Sequence, residues 1–212
     1  MNDEAGERKR CEIARNVPSS WLQVSAREHG EEIVSSTSSN PCRKSHWKIE
    51  VKSIDDRDLG EETKQWMFDV TERNMRVVYE KTWGWNSLEK RRELSDQNCR
   101  FVFVYSSYEG SDGDERLLPK AFAHFRFEVD DDGCASVYVY ELQVENDTKR
   151  AGLGTMVMEC VERIGRKLKL KHCALTVLKA NEALKFYRKI GYEETAHAPR
   201  DAHYIIMKKV LL

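Results

Sequence analysis

The segment ASVYVYELQV (135–144) leads through a short polar loop into Lys149-Arg150-Ala151-Gly152-Leu153-Gly154. TMVMECVERIGRKLKLK (155–171) follows, and then HCALTVLK (172–179), which is almost unbroken apolar sequence. The first piece has the period of two of a half-buried strand. The long piece has helical spacing, with Met156, Met158, Cys160, Val161, Ile164 and Leu168 largely on one side, and the last reads as a buried strand. Strand, helix and strand in this order call for a crossover connection, so the chain must build a sheet with a helix packed across it.

The flanking sequence extends that sheet. AFAHFRFEV (121–129) alternates and is joined to 135–144 by DDDG (130–133), a hairpin signal. CRFVFVYSS (99–107) and HWKIEVKSI (46–54) read as earlier strands, with 107–120 a loop. YEET (192–195) and HYIIMKKV (203–210) supply the last strands. Residues 59–82 read as a long amphipathic helix, 83–98 as an aromatic turn and a short charged helix, and 181–191 as a helix ending at Gly191. The expected fold is α/β: a mixed, mostly antiparallel twisted sheet flanked by helices. Residues 1–44 have weak periodicity and the run SSTSSN, and read as a flexible tail with a short helix near 19–29. The domain is expected over 45–212. ERKR (7–10) reads as a solvated run rather than a nuclear import signal.

Bulk properties exclude several classes. With 35 basic and 36 acidic residues the formal charge is −1, which gives no case for direct nucleic-acid binding. No apolar run approaches the roughly 20 residues needed to span a bilayer. The six cysteines are scattered without a C-x-x-C pair, so thiols are expected to be reduced, and the histidines show no metal spacing; no metal is expected.

The glycine loop opens a helix. First-turn N–H groups and a partial positive charge lie there, and Gly152 and Gly154 would let a pyrophosphate approach closely, with Lys149 and Arg150 adding charge. Tight strand-to-helix packing is the other reading of such glycines. The dinucleotide and NTP spacings are absent. Glu141 stands beside Tyr138, Tyr140 and Leu142. Strict alternation puts it on the face opposite the tyrosines, and on spacing alone it is a surface carboxylate.

The loop K-x-x-G-x-G, with Asn181, Ala183, Phe186, Tyr187 and Gly191-Tyr192, resembles the Gcn5-related N-acetyltransferases, although Lys149 stands where Gln or Arg is usual. NMRVVYEKTWGW (74–85), AFAHFRFEV, YVYELQVE (138–145), RAGLG (150–154) and LTVLKAN (175–181) are similar to the N-alpha-acetyltransferase D family. That resemblance spans about 45–207. It implies acetyl transfer from acetyl-CoA to the N-terminal serine of histones beginning Ser-Gly-Arg-Gly, by a monomer found in cytoplasm and nucleus. It implies a strand bulge that re-aims Glu141 as general base, with Tyr138 and Tyr187 also in the catalytic group and Tyr187 as acid for the departing thiolate. The bulge would free the amides of Leu142, Gln143 and Val144 for the cofactor. Lys149, Arg150, Ala151, Gly152, Leu153, Gly154, Thr155 and Asn181 would complete the cofactor site. For the peptide it points to Tyr79, Trp83, Glu128, Tyr140, Thr176 and Tyr204, with Asp130, Asp131 and Asp132 able to extend a negative rim. The tyrosines are expected to desolvate Glu141. No cysteine lies on the strand or loop, which argues for direct transfer rather than an acyl-enzyme. A lysine or small-amine acetyltransferase, or a non-catalytic histone-tail reader, are the other functions such a chain could carry.

Overall fold

The computed structural model describes residues 3–27, 47–57, 59–109, 113–199 and 202–212. The elements are α1 (Glu4–Arg15), α2 (Ser19–Arg27), β1 (Trp47–Ser53), α3 (Glu61–Glu80), α4 (Ser87–Leu94), β2 (Arg100–Glu109), β3 (Glu115–Val129), β4 (Ala135–Val144), α5 (Leu153–Lys167), β5 (His172–Leu178), α6 (Ala183–Lys189), β6 (Glu193–Glu194) and β7 (Tyr204–Val210). The strands form one sheet in the order β1-β2-β3-β4-β5-β7-β6. Every pairing is antiparallel except β4 with β5, the pair joined through α5. This is the mixed, mostly antiparallel sheet the periodicities predict.

Alternation divides the core. Val102, Val104, Phe125, Phe127, Val137 and Val139 bury against the face carrying α1, α2, α5 and α6. Phe101, Phe103, Tyr105 and Phe122 bury against α3 and α4 on the other face, with Met67, Phe68 and Leu94. The loop expected at 107–120 is mostly strand: β2 and β3 pair out to Glu109 and Glu115. Pro119, which lacks an N–H, sits where the register shifts between Val104 and Tyr105, so the ladder tolerates it.

The short helix expected near 19–29 is α2 (Ser19–Arg27), but the residues before it are not the flexible tail expected of them, since α1 covers Glu4–Arg15. Cys11, Ala14 and Leu22 are buried in the main core. Glu7 accepts the Ala135 N–H at 2.7 Å, and Arg15 donates to the Phe127 carbonyl at 2.9 Å. ERKR thus lies within α1, where Arg10 also reaches the Lys169 carbonyl at 3.2 Å. Residues 28–44 of that expectation lie outside the described residues. Leu22 is fully buried, so Leu22→Ala is expected to cost about 2–5 kcal/mol of stability. Urea denaturation reads this directly; a change near zero would return α2 to the status of an appendage.

Candidate active site

The site forms where the one parallel pair comes apart. β4 and β5 are in register from Ser136–His172 to Val139–Leu175 and no further. Beyond that point β4 pairs only with β3 among the described residues. Its register there also shifts: His124 pairs with Glu141 but Phe125 pairs with Val139, leaving Tyr140 as an extra residue on β4. A bulge of this kind reverses the facing of all that follows. Before it, Val137 and Val139 point to α5; after it, Leu142 and Val144 do. Tyr138, Tyr140 and Glu141 therefore share the α3–α4 face, where strict alternation would have separated them.

The bulge also decides which backbone groups open into the gap. The Glu145 N–H bonds to the Lys120 carbonyl at 2.8 Å. Antiparallel alternation then commits Gln143 to β3 and turns the N–H and C=O of Leu142 and Val144 toward β5. The Val144 carbonyl accepts from Asn74 at 3.2 Å, consistent with that direction. Among the three amides expected to be freed, those of Leu142 and Val144 face the gap. Gln143 acts through its side chain, accepting from Asn74 at 3.0 Å and donating to Glu141 Oε2 at 2.8 Å.

Glu141 is 4% exposed. Its Oε1 accepts from Tyr79 Oη at 3.1 Å and from Lys90 Nζ at 2.7 Å. The expected desolvation is present, but with it comes an ion pair that the sequence did not disclose. Lys90 lies between two carboxylates, reaching Glu93 at 2.9 Å as well. Burial alone would lower the Lys90 pKa; the Glu141 charge, then Glu93, outweigh it and raise it. Burial, then the Glu141 charge, push the Tyr79 and Tyr187 phenols up, so both stay protonated donors at neutral pH.

One cleft gathers nine of the expected residues. Glu141, Tyr140, Leu142 and Gln143 of β4 line it opposite Thr176 of β5, with Tyr79 and Trp83, Asn181, and Tyr187 of α6 around them. Tyr138 reaches it indirectly, its hydroxyl 2.5 Å from Thr176 Oγ1. An aromatic wall closes one side: Tyr79 packs edge-on to Trp83 at 5.5 Å, and Trp83 meets Tyr204 at 5.9 Å. Asn181 Oδ1 accepts the Ala183 N–H at 2.9 Å, so it also caps α6. Glu128 stands outside the lining and holds the Tyr140 hydroxyl at 2.8 Å.

The glycine loop flanks this gap. Gly152, at φ +85°, is the N-cap of α5, and no side chain caps the helix or places an acid in its first turn. The first-turn N–H groups are therefore open to an anion, as a diphosphate requires. Lys149 and Arg150 are exposed beside it, while Leu153 is buried and anchors the turn. Ala151 and Thr155 are partly buried. A methyl group at Gly154 would sit 3.3 Å from the Phe186 ring and 4.0 Å from Leu142, which places this turn against both β4 and α6.

Residues 126–209 match the family model described as an acetyltransferase (GNAT) domain. The chain superposes on Tetrahymena GCN5 with a TM-score of 0.55, at 11% identity over 78% of this chain and 96% of that one. The PaiA N-acetyltransferase of Thermoplasma acidophilum, solved with coenzyme A, gives 0.52 at 16% identity over 77% and 99%. Arabidopsis thaliana Naa50, solved with the bisubstrate analogue CoA-Ac-MVNAL, gives 0.50 at 16% identity over 76% and 97%. The fold is the GNAT acetyltransferase fold.

On this GNAT scaffold two expectations need correction. Asp130 does not join a negative rim: its side chain is 1% exposed and is consumed by the hairpin. It accepts from the Asp132 and Cys134 amides at 3.0 Å each, from Ser136 at 2.7 Å, and contacts His172 Nδ1 at 2.7 Å. Although burial opposes it, these bonds and Lys208 hold the carboxyl down at about 2. Asp132 pairs with Lys208 at 2.7 Å, leaving Asp131 exposed. Second, His172 does meet Asp and Cys in space. Asp130, Cys134 and His172 converge within 4.8 Å, which linear spacing did not reveal. The positive charge at that point comes from Lys208, 3.2 Å from Asp130, and Lys171, 3.4 Å from Cys134.

Proposed function

We propose that the protein is an acetyl-CoA-dependent N-alpha-acetyltransferase. The observation that carries this reading is the buried Glu141 carboxylate, turned by the Tyr140 bulge onto the α3–α4 face where β4 and β5 part, while the open N-terminus of α5 adjoins the same end of β4 at Leu142. The helix end and Lys149-Arg150 would bind the diphosphate of acetyl-CoA. The Leu142 and Val144 backbone would hold its extended arm and polarise the thioester. A peptide α-amine, with a pKa of about 7.7–8.0, is partly neutral at pH 7, so one carboxylate suffices to remove its remaining proton. The amine attacks the thioester carbon, the C–N bond forms, and the C–S bond breaks. Glu141 takes the amine proton, and the thiolate takes one from Tyr187. Both residues return to their starting state by proton exchange with solvent.

The aromatic wall of Tyr79, Trp83 and Tyr204 supports a chain terminus over a lysine side chain, because it closes the cleft on one side. The likeness of the W-G-W and F-R-F segments to the N-alpha-acetyltransferase D family supports histone tails beginning Ser-Gly-Arg-Gly as substrate, met by a monomer in nucleus or cytoplasm. Glu128, which orients Tyr140, would face the basic segment. The test is incubation with acetyl-CoA and peptides whose N-termini are free or blocked, with the label located by mass spectrometry. Label on the α-amine of Ser-Gly-Arg-Gly peptides supports the reading. Label on lysines alone, or cofactor binding without any acetylated product, defeats it.

A further inference from the structure

Glu141 has about four acceptor positions on its two oxygens. Tyr79 and Lys90 occupy Oε1, and Gln143 occupies one position on Oε2. One position on Oε2 remains for an incoming amine or its water. Lys90 is the charged member of this set and is itself fixed: its side chain is 10% exposed, and Glu93 holds it from the far side. The Lys90 ammonium also lies 5.2 Å from the centre of the Tyr79 ring. Both Lys90 and Glu93 come from α4, none of whose residues lines the cleft; they reach it only through Glu141.

We propose that Lys90 is a positioning residue for acetyl transfer: clamped between Glu93 and Glu141, its ammonium keeps the Glu141 carboxylate charged and reserves Oε2 for the substrate amine. This rests on the reading of Glu141 as base. Burial disfavours a carboxylate's charged form and an opposite charge at contact distance favours it; here that charge is the Lys90 ammonium, 2.7 Å from Oε1. With Lys90 the base is ready before substrate arrives.

The surroundings decide how pH reports this. Tyr79 from α3, Tyr187 from α6 and Tyr140 from β4 are all pushed up by burial and carry no charge near neutrality. His124 from β3 is held down at about 3 by burial and by Arg126 and Lys90, so it too is neutral. Arg126 from β3 lies 3.5 Å from Asp96. Gln143 does not titrate. Glu93 is raised by burial and then by Glu141, against the pull of Lys90. Glu93 is thus the neighbour whose charge most needs separate control.

The experiment compares kcat/KM for one free-N-terminus peptide across pH 5.5–8 in wild type, Lys90→Met, Lys90→Arg and Glu93→Gln. Circular dichroism and acetyl-CoA affinity check each variant. Taking each variant as a ratio to wild type cancels the titration of the substrate amine. Losing an opposite charge at contact distance moves a carboxylate by about 1–3 pH units. The Lys90→Met ratio should therefore fall between pH 8 and pH 5.5, by about tenfold where the carboxylate moves by about 2 pH units and by less where it moves less. Lys90→Arg, which keeps the charge, should give a flat ratio, and Glu93→Gln a ratio that is flat or rises toward acid. A folded Lys90→Met with a flat ratio overturns the proposal. Should that variant not fold, Lys90→Gln takes its place: a ratio that falls toward acid supports the proposal, and a flat one overturns it. An inactive wild type would instead remove the base itself, and Lys90's role with it.

Discussion

Replacing Glu141 with Gln is expected to lower kcat by about 10²–10⁴-fold, the usual contribution of a general base, while acetyl-CoA affinity stays within a few fold of wild type. The two readouts separate because the two sites are built from different elements. The carboxylate sits on the bulged end of β4. The anion site is the first turn of α5 with its glycine loop. Gln keeps the size and one acceptor oxygen, so Tyr79 and Lys90 can still bond to it. The amide nitrogen then meets Gln143 Nε2, donor against donor, unless Gln143 turns and offers its oxygen. That turn disturbs the bond from Asn74, so a modest stability loss accompanies the substitution. Lys90 retains Glu93 as a partner and is not stranded. Single-turnover kinetics with saturating acetyl-CoA measure the chemical step directly. Turnover within tenfold of wild type, in a folded protein, would show that another group takes the proton.

How much of this could be read from the chain alone differs from residue to residue. The strands were legible because alternation is local: Phe101, Phe103 and Phe122 mark one face, and Phe125 and Phe127 the other, across the register shifts. The facing of Glu141 was not legible from its own strand. It depends on where β3 pairs, and the resemblance to a known family supplied the bulge that spacing could not. Lys90 was missed for a related reason. In SLEKRREL it is one charge among five, and only the docking of α4 against α3 buries it. A lysine followed three residues later by Glu93 was the available signal, but that pattern marks countless exposed helices. The short helix expected near 19–29 is α2 (Ser19–Arg27), but α1 was missed for a different reason. α1 buries only Cys11 and Ala14, too little apolar surface to show periodicity, and its attachment is largely through polar bonds to Ala135 and Phe127. Asp130 read as a turn residue and is one, but its burial comes from Lys208 and His172, which arrive from strands far along the chain.

Substituting Gly152 tests the anion site with a built-in control. Gly152 has φ +85°, so any side chain there is strained, by roughly 1–2 kcal/mol, and least so for Asn and Asp. A Cβ at this position meets nothing within 4 Å, so space is not the issue. Gly152→Asn and Gly152→Asp are nearly the same shape, both suit a helix N-cap, and they differ by one charge. As far as α5 is concerned, Asp is the better of the two, because a negative charge at a helix N-terminus is favourable. Gly152→Asp should thus melt at or above the temperature of Gly152→Asn. For a diphosphate bound to the same amides the order reverses. Two unit charges about 4 Å apart repel by about 4 kcal/mol at an effective dielectric of 20, so Gly152→Asp should bind acetyl-CoA at least about 100-fold more weakly than Gly152→Asn. Calorimetric titration with acetyl-CoA, beside thermal melts of both variants, gives the comparison. Equal affinities would mean that the glycines serve only the packing of α5 against Phe186 and Leu142. A stable Gly152→Asp that has lost the cofactor would locate the diphosphate at this helix end by charge alone.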